Sequence, residues 1–98
     1  MEKLELLEKT LHENNIKEIT MSYFIDDDIQ CIEYYIYNSD IKKYNISLRT
    51  IFDDEDVITD EINPSSINKI IKWIYTTIDD NNKTIKYIQI DGIKIDFN

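Results

Sequence analysis

The spacing of apolar residues divides the chain into segments of helical and of strand periodicity. Near the amino terminus, Leu4, Leu7 and Leu11 recur at helical spacing among charged residues. This pattern predicts an amphipathic helix that ends near Asn14-Asn15, where two Asn residues interrupt the apolar stripe.

The next three segments alternate with a period of two, which is typical of strands. The alternating sets are Ile19, Met21, Tyr23 and Ile25 in the first segment, Ile32, Tyr34 and Ile36 against Cys31, Glu33, Tyr35 and Tyr37 in the second, and Tyr44, Ile46 and Leu48 in the third. The Asp triplet at positions 26 to 28 ends the first segment, and a turn cluster at 38 to 40 follows the second. The pattern predicts a three-stranded antiparallel meander, with large side chains on both faces of its second strand.

Two later signals predict a second helix and a hairpin. Asn63-Pro64 offers an N-cap followed by a proline at the first helical position. The apolar stripe that follows is Ile67, Ile70, Ile71, Ile74 and Ile78, which needs a hydrophobic sheet to cover it. Asp91-Gly92 is a two-residue turn signal that pairs Ile90 with Ile93 and Ile88 with Ile95.

The predicted order is therefore helix, three-stranded meander, helix and C-terminal β-hairpin, in one compact domain over residues 1 to 98. This order is typical of an α+β fold, and we expect both helices on one face of an antiparallel sheet. The acidic connection from Asp53 to Glu61 is either a loop or contains a short strand through Val57 and Ile58.

Composition supports a folded protein made and kept in a cytosol. Hydrophobic residues make up 42% of the chain and aromatic residues 11%, which is enough for a core. No signal peptide or membrane-spanning apolar run is visible, and the lone cysteine, Cys31, allows no internal disulfide. Abundant Ile, Lys, Asn and Tyr with no Ala indicate a low-GC genome, which fits bacteria, their phages and some large DNA viruses equally.

The formal charge of -9 is concentrated in residues 18 to 41 and 50 to 68, which hold twelve Asp or Glu and no Lys or Arg. The densest runs are Asp26, Asp27 and Asp28, then Asp53, Asp54, Glu55 and Asp56, then Asp60 and Glu61. These runs predict two acidic surfaces on a small domain. Such surfaces repel nucleic acid and anionic membranes and favour basic protein partners.

No constellation typical of an enzyme or a cofactor site is present. His12 is expected on the surface near the end of the first helix, and Cys31 is expected to be a small packing residue. Gly92 is the only glycine and belongs to the predicted hairpin, which leaves no glycine-rich phosphate loop. The Asp runs carry the oxygen ligands that Ca²⁺ or Mg²⁺ prefers, but their spacing differs from that of an EF-hand loop. The sequence therefore predicts a protein without catalysis, cofactor or dedicated metal site.

The acidic runs and nearby aromatic residues are interpreted as a binding surface that imitates a nucleic-acid backbone. Glu33, Tyr35 and Tyr37 share a strand face, and Trp73 falls off the apolar stripe of the second helix, where it could anchor a partner. Three alternatives stay open. The Asp runs can be ordinary solvated loops, Tyr35 and Tyr37 can be covered by a neighbouring element or a dimer partner, and Trp73 can pack against the first helix.

Three functional classes follow from this interpretation. In size and charge the chain resembles phage-encoded anti-CRISPR and anti-restriction proteins, which implies an inhibitor of a nuclease or another nucleic-acid-binding protein. The alternative is a bacterial immunity protein that neutralises a cognate toxin. The third is a structural or assembly subunit that uses the second face of the sheet as its contact surface. The first two classes share the same surface physics, and the first is preferred.

Overall fold

The computed structural model of the chain describes residues 2–13, 15–53 and 55–97. Within these ranges the elements follow in the order α1 (Glu2–Leu11), β1 (Glu18–Asp26), β2 (Ile29–Asn38), β3 (Lys43–Phe52), β4 (Asp56–Ser65), α2 (Ile67–Ile78), β5 (Thr84–Ile90) and β6 (Ile93–Asp96). The first helix ends three residues before the Asn pair proposed as its end, and Asn14 lies outside the described residues. The general α+β class predicted from the sequence fits this arrangement.

The six strands form one antiparallel sheet in the order β4-β3-β2-β1-β5-β6. The predicted three-stranded meander is therefore wrong in its strand count, because β4 adds a fourth strand to it. Nine of the ten β4 residues are exposed, since this strand is at the edge of the sheet and no helix covers it. Of the two alternatives for the acidic connection, the strand through Val57 and Ile58 is present and is longer than expected. A strand that buries neither face needs no alternation of apolar and polar residues, which is why periodicity did not show its full length.

The second helix begins later than Asn63-Pro64 predicted. Asn63 and Pro64 lie in β4, at an irregularity in its pairing with β3. Pro64 lacks a backbone N–H, and an irregular stretch of an edge strand tolerates this without the loss of a regular ladder bond. Ser66 is the actual N-cap of α2, and its hydroxyl accepts a bond from the backbone N–H of Lys69.

Both helices contribute to one hydrophobic core on a single face of the sheet. Leu7 and Leu11 of α1 and Ile70 and Ile74 of α2 are buried in the same cluster as the inward residues of five strands. The sheet contributes Ile19, Met21, Tyr23, Cys31, Tyr35, Tyr44, Ile46, Ile85, Ile88, Ile90 and Ile95. Because the apolar stripes of both helices pack on this face of the sheet, the buried face of β2 is the one that carries Cys31, Glu33 and Tyr35.

The C-terminal hairpin has the predicted register. Ile90 pairs with Ile93 and Ile88 with Ile95, as the two-residue turn requires. Asp91 and Gly92 both have positive φ, at 47° and 88°, which is the backbone of a type I′ turn. Asp91 also accepts bonds from the backbone N–H groups of Lys17 and Glu18, so its side chain ties the hairpin to the start of β1.

The opposite face of the sheet, here called the open face, has no helix on it. On β2 it carries Ile32, Tyr34 and Ile36, which alternate with the buried residues of the core face. Ile32 and Tyr34 are partly covered by neighbouring side chains, whereas Ile36 is 53% exposed. Neither α1 nor α2, the helices of the described ranges, is long and apolar enough to cross a membrane.

Candidate functional site

The two acidic runs predicted as separate surfaces meet at one end of the sheet. The turn between β1 and β2 and the turn between β3 and β4 lie side by side, because Ile29 pairs with Phe52. The backbone N–H of Asp53 donates to the backbone carbonyl of Asp28 at 2.9 Å. We call this surface the acidic end; it comprises Asp26, Asp27, Asp28, Asp53, Glu55 and Asp56, all exposed.

Asp54, the remaining residue of the second run, lies outside the described residues. The expectation of two acidic surfaces is thus corrected to one, because β2 pairs with both β1 and β3 and brings their turns together.

The second helix points its C-terminus toward the acidic end. It starts beyond Ser65, which pairs with Tyr44 at the opposite end of the sheet, and it is followed by β5, which begins where Thr84 pairs with Phe24. The C-terminus of a helix carries a partial negative charge from its aligned peptide dipoles. The helix therefore adds to the negative potential produced by the carboxylates of the two turns.

Asp60 and Glu61 extend the negative charge along β4. Asp60 pairs with Leu48 and Glu61 with Ser47, so the two carboxylates lie on opposite faces of the edge strand. Both residues are exposed. Among the residues that the structure describes, no three His, Cys, Asp or Glu side chains converge closely enough to hold a metal ion.

Glu33 lies inside the domain, on the core face of β2, where it is 3% exposed. Three side chains donate hydrogen bonds to its carboxylate. The Tyr23 hydroxyl donates to Oε2 at 2.5 Å, and the Trp73 indole Nε1 donates to Oε1 at 2.7 Å. The Tyr35 hydroxyl also donates to Oε1. We call these four residues the Glu33 cluster. An ionised carboxylate accepts and cannot donate, so three donors are its chemical complement.

The two tyrosines of the Glu33 cluster stay protonated well into the alkaline range. Burial raises the pKa of Tyr23, and hydrogen bonding to Glu33 and the charge of this residue raise it further. Burial also raises the pKa of Tyr35, again with a contribution from the charge of Glu33. Both hydroxyls therefore remain donors to the carboxylate at neutral pH.

The proposed aromatic contact residues do not gather at the acidic end. Tyr35 is buried, and Tyr37 lies near the opposite end of β2, where its ring contacts that of Tyr44 at 5.2 Å between centroids. Trp73 is 43% exposed, but its indole N–H is held by Glu33. The structure thus separates the charge from the aromatic residues, and Glu33 and Tyr35 join the core instead of the surface.

Tyr23 and Lys83 also belong to this region, although sequence patterns did not indicate either residue. The Lys83 ammonium lies 5.3 Å from the centre of the Tyr23 ring and 4.9 Å from that of Trp73. The sequence does carry a signal for Glu33 itself. Glu33 is the only acidic residue of β2, and the residues two positions before and after it on the same strand face are Cys31 and Tyr35. A carboxylate in such a row is a candidate for a buried, hydrogen-bonded group.

The lone histidine and the lone cysteine lie as expected. His12 is exposed, with Nδ1 2.7 Å from the backbone carbonyl of Glu8. Cys31 is buried, and burial raises the pKa of its thiol. A raised pKa makes the nucleophilic thiolate scarce at neutral pH, which fits a packing role.

No protein-family model, curated protein or solved structure matches this chain. Function is therefore inferred from the geometry of the acidic end, the open face and the Glu33 cluster.

Proposed function

We propose that the protein is a non-enzymatic inhibitor that binds a basic, nucleic-acid-binding protein through the acidic end. The observation that carries this proposal is the backbone hydrogen bond from Asp53 to Asp28, because it joins two chain segments without Lys or Arg into one surface. A groove that binds nucleic acid is lined with Lys and Arg and attracts such a surface at long range.

The geometry of the acidic end fits imitation of a phosphate backbone. Residues two apart on a strand point the same way and are separated by about 6.6 to 6.8 Å. Asp26 and Asp56 lie at strand ends, and the other carboxylates of the acidic end lie in the two turns that join these strands to their neighbours. The turns are held by local bonds, such as that from the Asp28 backbone N–H to the Asp26 carboxylate. A fixed array costs less ordering entropy on binding than a flexible acidic tail.

The contact surface of this proposal is smaller than the sequence indicated. Asp60 and Glu61 can flank the acidic end along β4, whereas Glu33 and Tyr35 are buried and contribute no exposed contact area. The proposed target is a nuclease or another nucleic-acid-binding protein, as for anti-CRISPR and anti-restriction inhibitors. An immunity protein that neutralises a basic toxin uses the same surface physics, and competition with nucleic acid separates the two modes of binding.

The test is recovery of a basic partner and its displacement by nucleic acid. The tagged protein is incubated with lysates of low-GC bacteria, and bound proteins are eluted first with double-stranded DNA and then with a salt gradient. A mimic is expected to release a nucleic-acid-binding protein into the DNA eluate. Release only by salt supports an immunity protein that binds outside the nucleic-acid groove.

Charge reversal at the acidic end is expected to abolish this recovery. The test variant carries Lys at Asp27, Asp28, Asp53 and Glu55, and the matched control carries Lys at Glu8, Glu13, Asp40 and Asp96, which are equally exposed and lie elsewhere. Both variants have the same net charge, so only the position of the change differs. We expect at least a tenfold weaker association for the test variant and a much smaller change for the control. Equal losses in both variants would contradict a localised acidic site.

The open face favours a second candidate, a structural or assembly subunit. Ile36 and Val57 are each 53% exposed on this face, beside the half-buried Ile32, Tyr34 and Ile51. Apolar side chains exposed on a sheet face without a helix are candidates for a protein contact. If the open face joins two copies, sedimentation velocity at micromolar concentration should show a dimer that persists in high salt, and Ile36→Lys should yield a monomer. If the protein is a monomer at every concentration tested, self-assembly through this face is excluded.

A further inference from the structure

A cavity of about 340 Å³ lies between α2 and the core faces of β2, β3 and β4. It forms because α2 covers the sheet only partway toward the edge strand, so Leu48 is half-buried and Ile62 is 45% exposed. Its aliphatic walls are Ile46, Leu48, Ile62 and Ile70. This volume lies within the range of ligand-binding cavities, which combine apolar walls with a few convergent polar groups.

The polar lining of this cavity consists of the Glu33 cluster, Ser65 and Lys69. Oε1 of Glu33 already accepts two hydrogen bonds, whereas Oε2 accepts only one, from Tyr23. A carboxylate has about four acceptor positions, so one remains on Oε2. Glu33 lines the cavity and is 3% exposed, and its carboxylate keeps an acceptor position for a ligand that brings a donor.

The aromatic rings of the same cluster are suited to a positive charge. The chain places its own Lys83 ammonium within 5.3 Å of the ring centres of Tyr23 and Trp73. Aromatic faces attract cations through their quadrupole, and the attraction grows where water is excluded. Both rings line the cavity together with the carboxylate.

We propose that this cavity binds a small amphipathic amine, with its ammonium at Glu33 and its apolar body against the aliphatic walls. A charge-assisted hydrogen bond to a buried carboxylate selects a protonated amine over a neutral alcohol of the same shape. An anionic ligand is repelled by Glu33. Lys69 is the one lysine that lines the cavity, and its exposed side chain can turn to water.

This inference goes beyond the proposed inhibitor function and is independent of it. None of the residues that line the cavity belongs to the acidic end. Charge reversal at the acidic end should therefore leave amine binding unchanged, and blocking the cavity should leave partner recovery unchanged.

The probe for the test is phenethylamine, compared with 2-phenylethanol as a neutral isostere and with 3-phenylpropionate as an anion. Trp73 is the only tryptophan of the chain, so its fluorescence reports on the cavity directly. We expect phenethylamine to bind at least roughly tenfold more tightly than 2-phenylethanol, and 3-phenylpropionate to bind least. Equal binding of the amine and the alcohol, or no saturable change with the amine at millimolar concentration, would overturn the proposal.

Two kinds of variant locate the binding. Glu33→Gln removes the charge and keeps the shape, because a Gln oxygen can accept from Tyr35 and Trp73 while its NH₂ donates to the Tyr23 oxygen. In this variant the preference for the amine should fall to within about twofold of the alcohol. A preference that survives the loss of the charge contradicts the inference.

Substitutions at Ile62 and Ile58 give a second test, which remains valid even if the Glu33 variant is unstable. Both lie on the same face of β4 and are exposed to 45% and 52%, but only Ile62 lines the cavity. Ile62→Ser should weaken phenethylamine binding several-fold, and Ile58→Ser should leave it unchanged. Equal effects of the two substitutions would place the amine outside the cavity.

Discussion

Replacing Glu33 with alanine should lower the free energy of unfolding by about 3 to 5 kcal/mol. This loss combines the cost of leaving buried donors without an acceptor and the cost of the void that the shorter side chain leaves. Tyr23 and Tyr35 donate to this carboxylate from positions that are themselves buried, so both hydroxyls would lose their acceptor inside the domain. Trp73 contributes less, because its half-exposed indole can find water. A loss of this size is a large part of the roughly 5 to 15 kcal/mol that stabilises a typical domain.

Urea denaturation monitored by circular dichroism measures this loss. Glu61→Ala is the control, since Glu61 is an exposed carboxylate on β4 and its removal should change stability by no more than about 0.5 kcal/mol. Unfolding of the two alanine variants at the same urea concentration would contradict this role of Glu33.

A third variant distinguishes the stability lost through unpaired donors from the stability lost through the void. Combining Glu33→Leu with Tyr23→Phe and Tyr35→Phe removes the carboxylate and both hydroxyls while it fills the space. Replacing both partners of a buried hydrogen bond by apolar groups is often nearly neutral, so this triple variant should recover much of the stability lost in Glu33→Ala. If the triple variant is no more stable than Glu33→Ala, the loss of stability is due to packing alone.

The location of Glu33 also shows where sequence patterns stop being informative. Large side chains alternate on both sides of β2, so the period-two pattern identifies the strand but does not say which face is inside. That choice depends on where α1 and α2 lie, which is a tertiary property. Tyr35 follows the alternative in which a neighbouring element covers it. The surface location proposed for Glu33 is wrong because periodicity alone does not show whether its strand face or that of Ile32 and Tyr34 is buried.

Local signals predicted the elements that depend on local physics. The Asp91-Gly92 hairpin was predicted with its register because positive φ at two adjacent positions is a requirement of the turn itself. The stripe of α2 was predicted because Ile residues at helical spacing match the period of a helix and not that of a strand. In contrast, the Asn63-Pro64 signal was overridden by pairing of β4 with β3, which extends the strand to Ser65.

The acidic end depends on long-range pairing in the same way. Charge runs at 26 to 28 and 53 to 56 are evident in the sequence, but their adjacency follows from β2 being the shared neighbour of β1 and β3. A meander places alternate turns at the same end of a sheet. The predicted meander therefore already implies this adjacency, and the expectation of two separate surfaces is wrong because the runs are far apart in sequence but adjacent in the sheet.

Stability is expected to fall steeply once the pH rises above about 10, because Tyr23 and Tyr35 hold their protons in the folded protein. An unfolded tyrosine ionises near pH 10, whereas burial and Glu33 raise the pKa of both residues in the fold. Above about pH 10 the unfolded chain therefore binds fewer protons than the folded one, and stability declines with pH. The contribution of the two tyrosines is fully present below about pH 10 and is lost as the pH rises toward their folded pKa values.

The expected loss at pH 11 is about 1.4 kcal/mol for each tyrosine, or roughly 3 kcal/mol together. Urea denaturation at pH 8, 9, 10 and 11 measures it, and absorbance at 295 nm in the same samples follows tyrosinate. Burial also raises the pKa of Tyr44 and Tyr75, so the comparison that decides is between the parent chain and Tyr23→Phe or Tyr35→Phe. Each substitution should lower stability at pH 8 but remove about half of the decline between pH 10 and 11 that Tyr23 and Tyr35 cause together. A decline as steep in both variants as in the parent chain would show that other groups cause it, and that the Glu33 cluster does not keep these hydroxyls protonated.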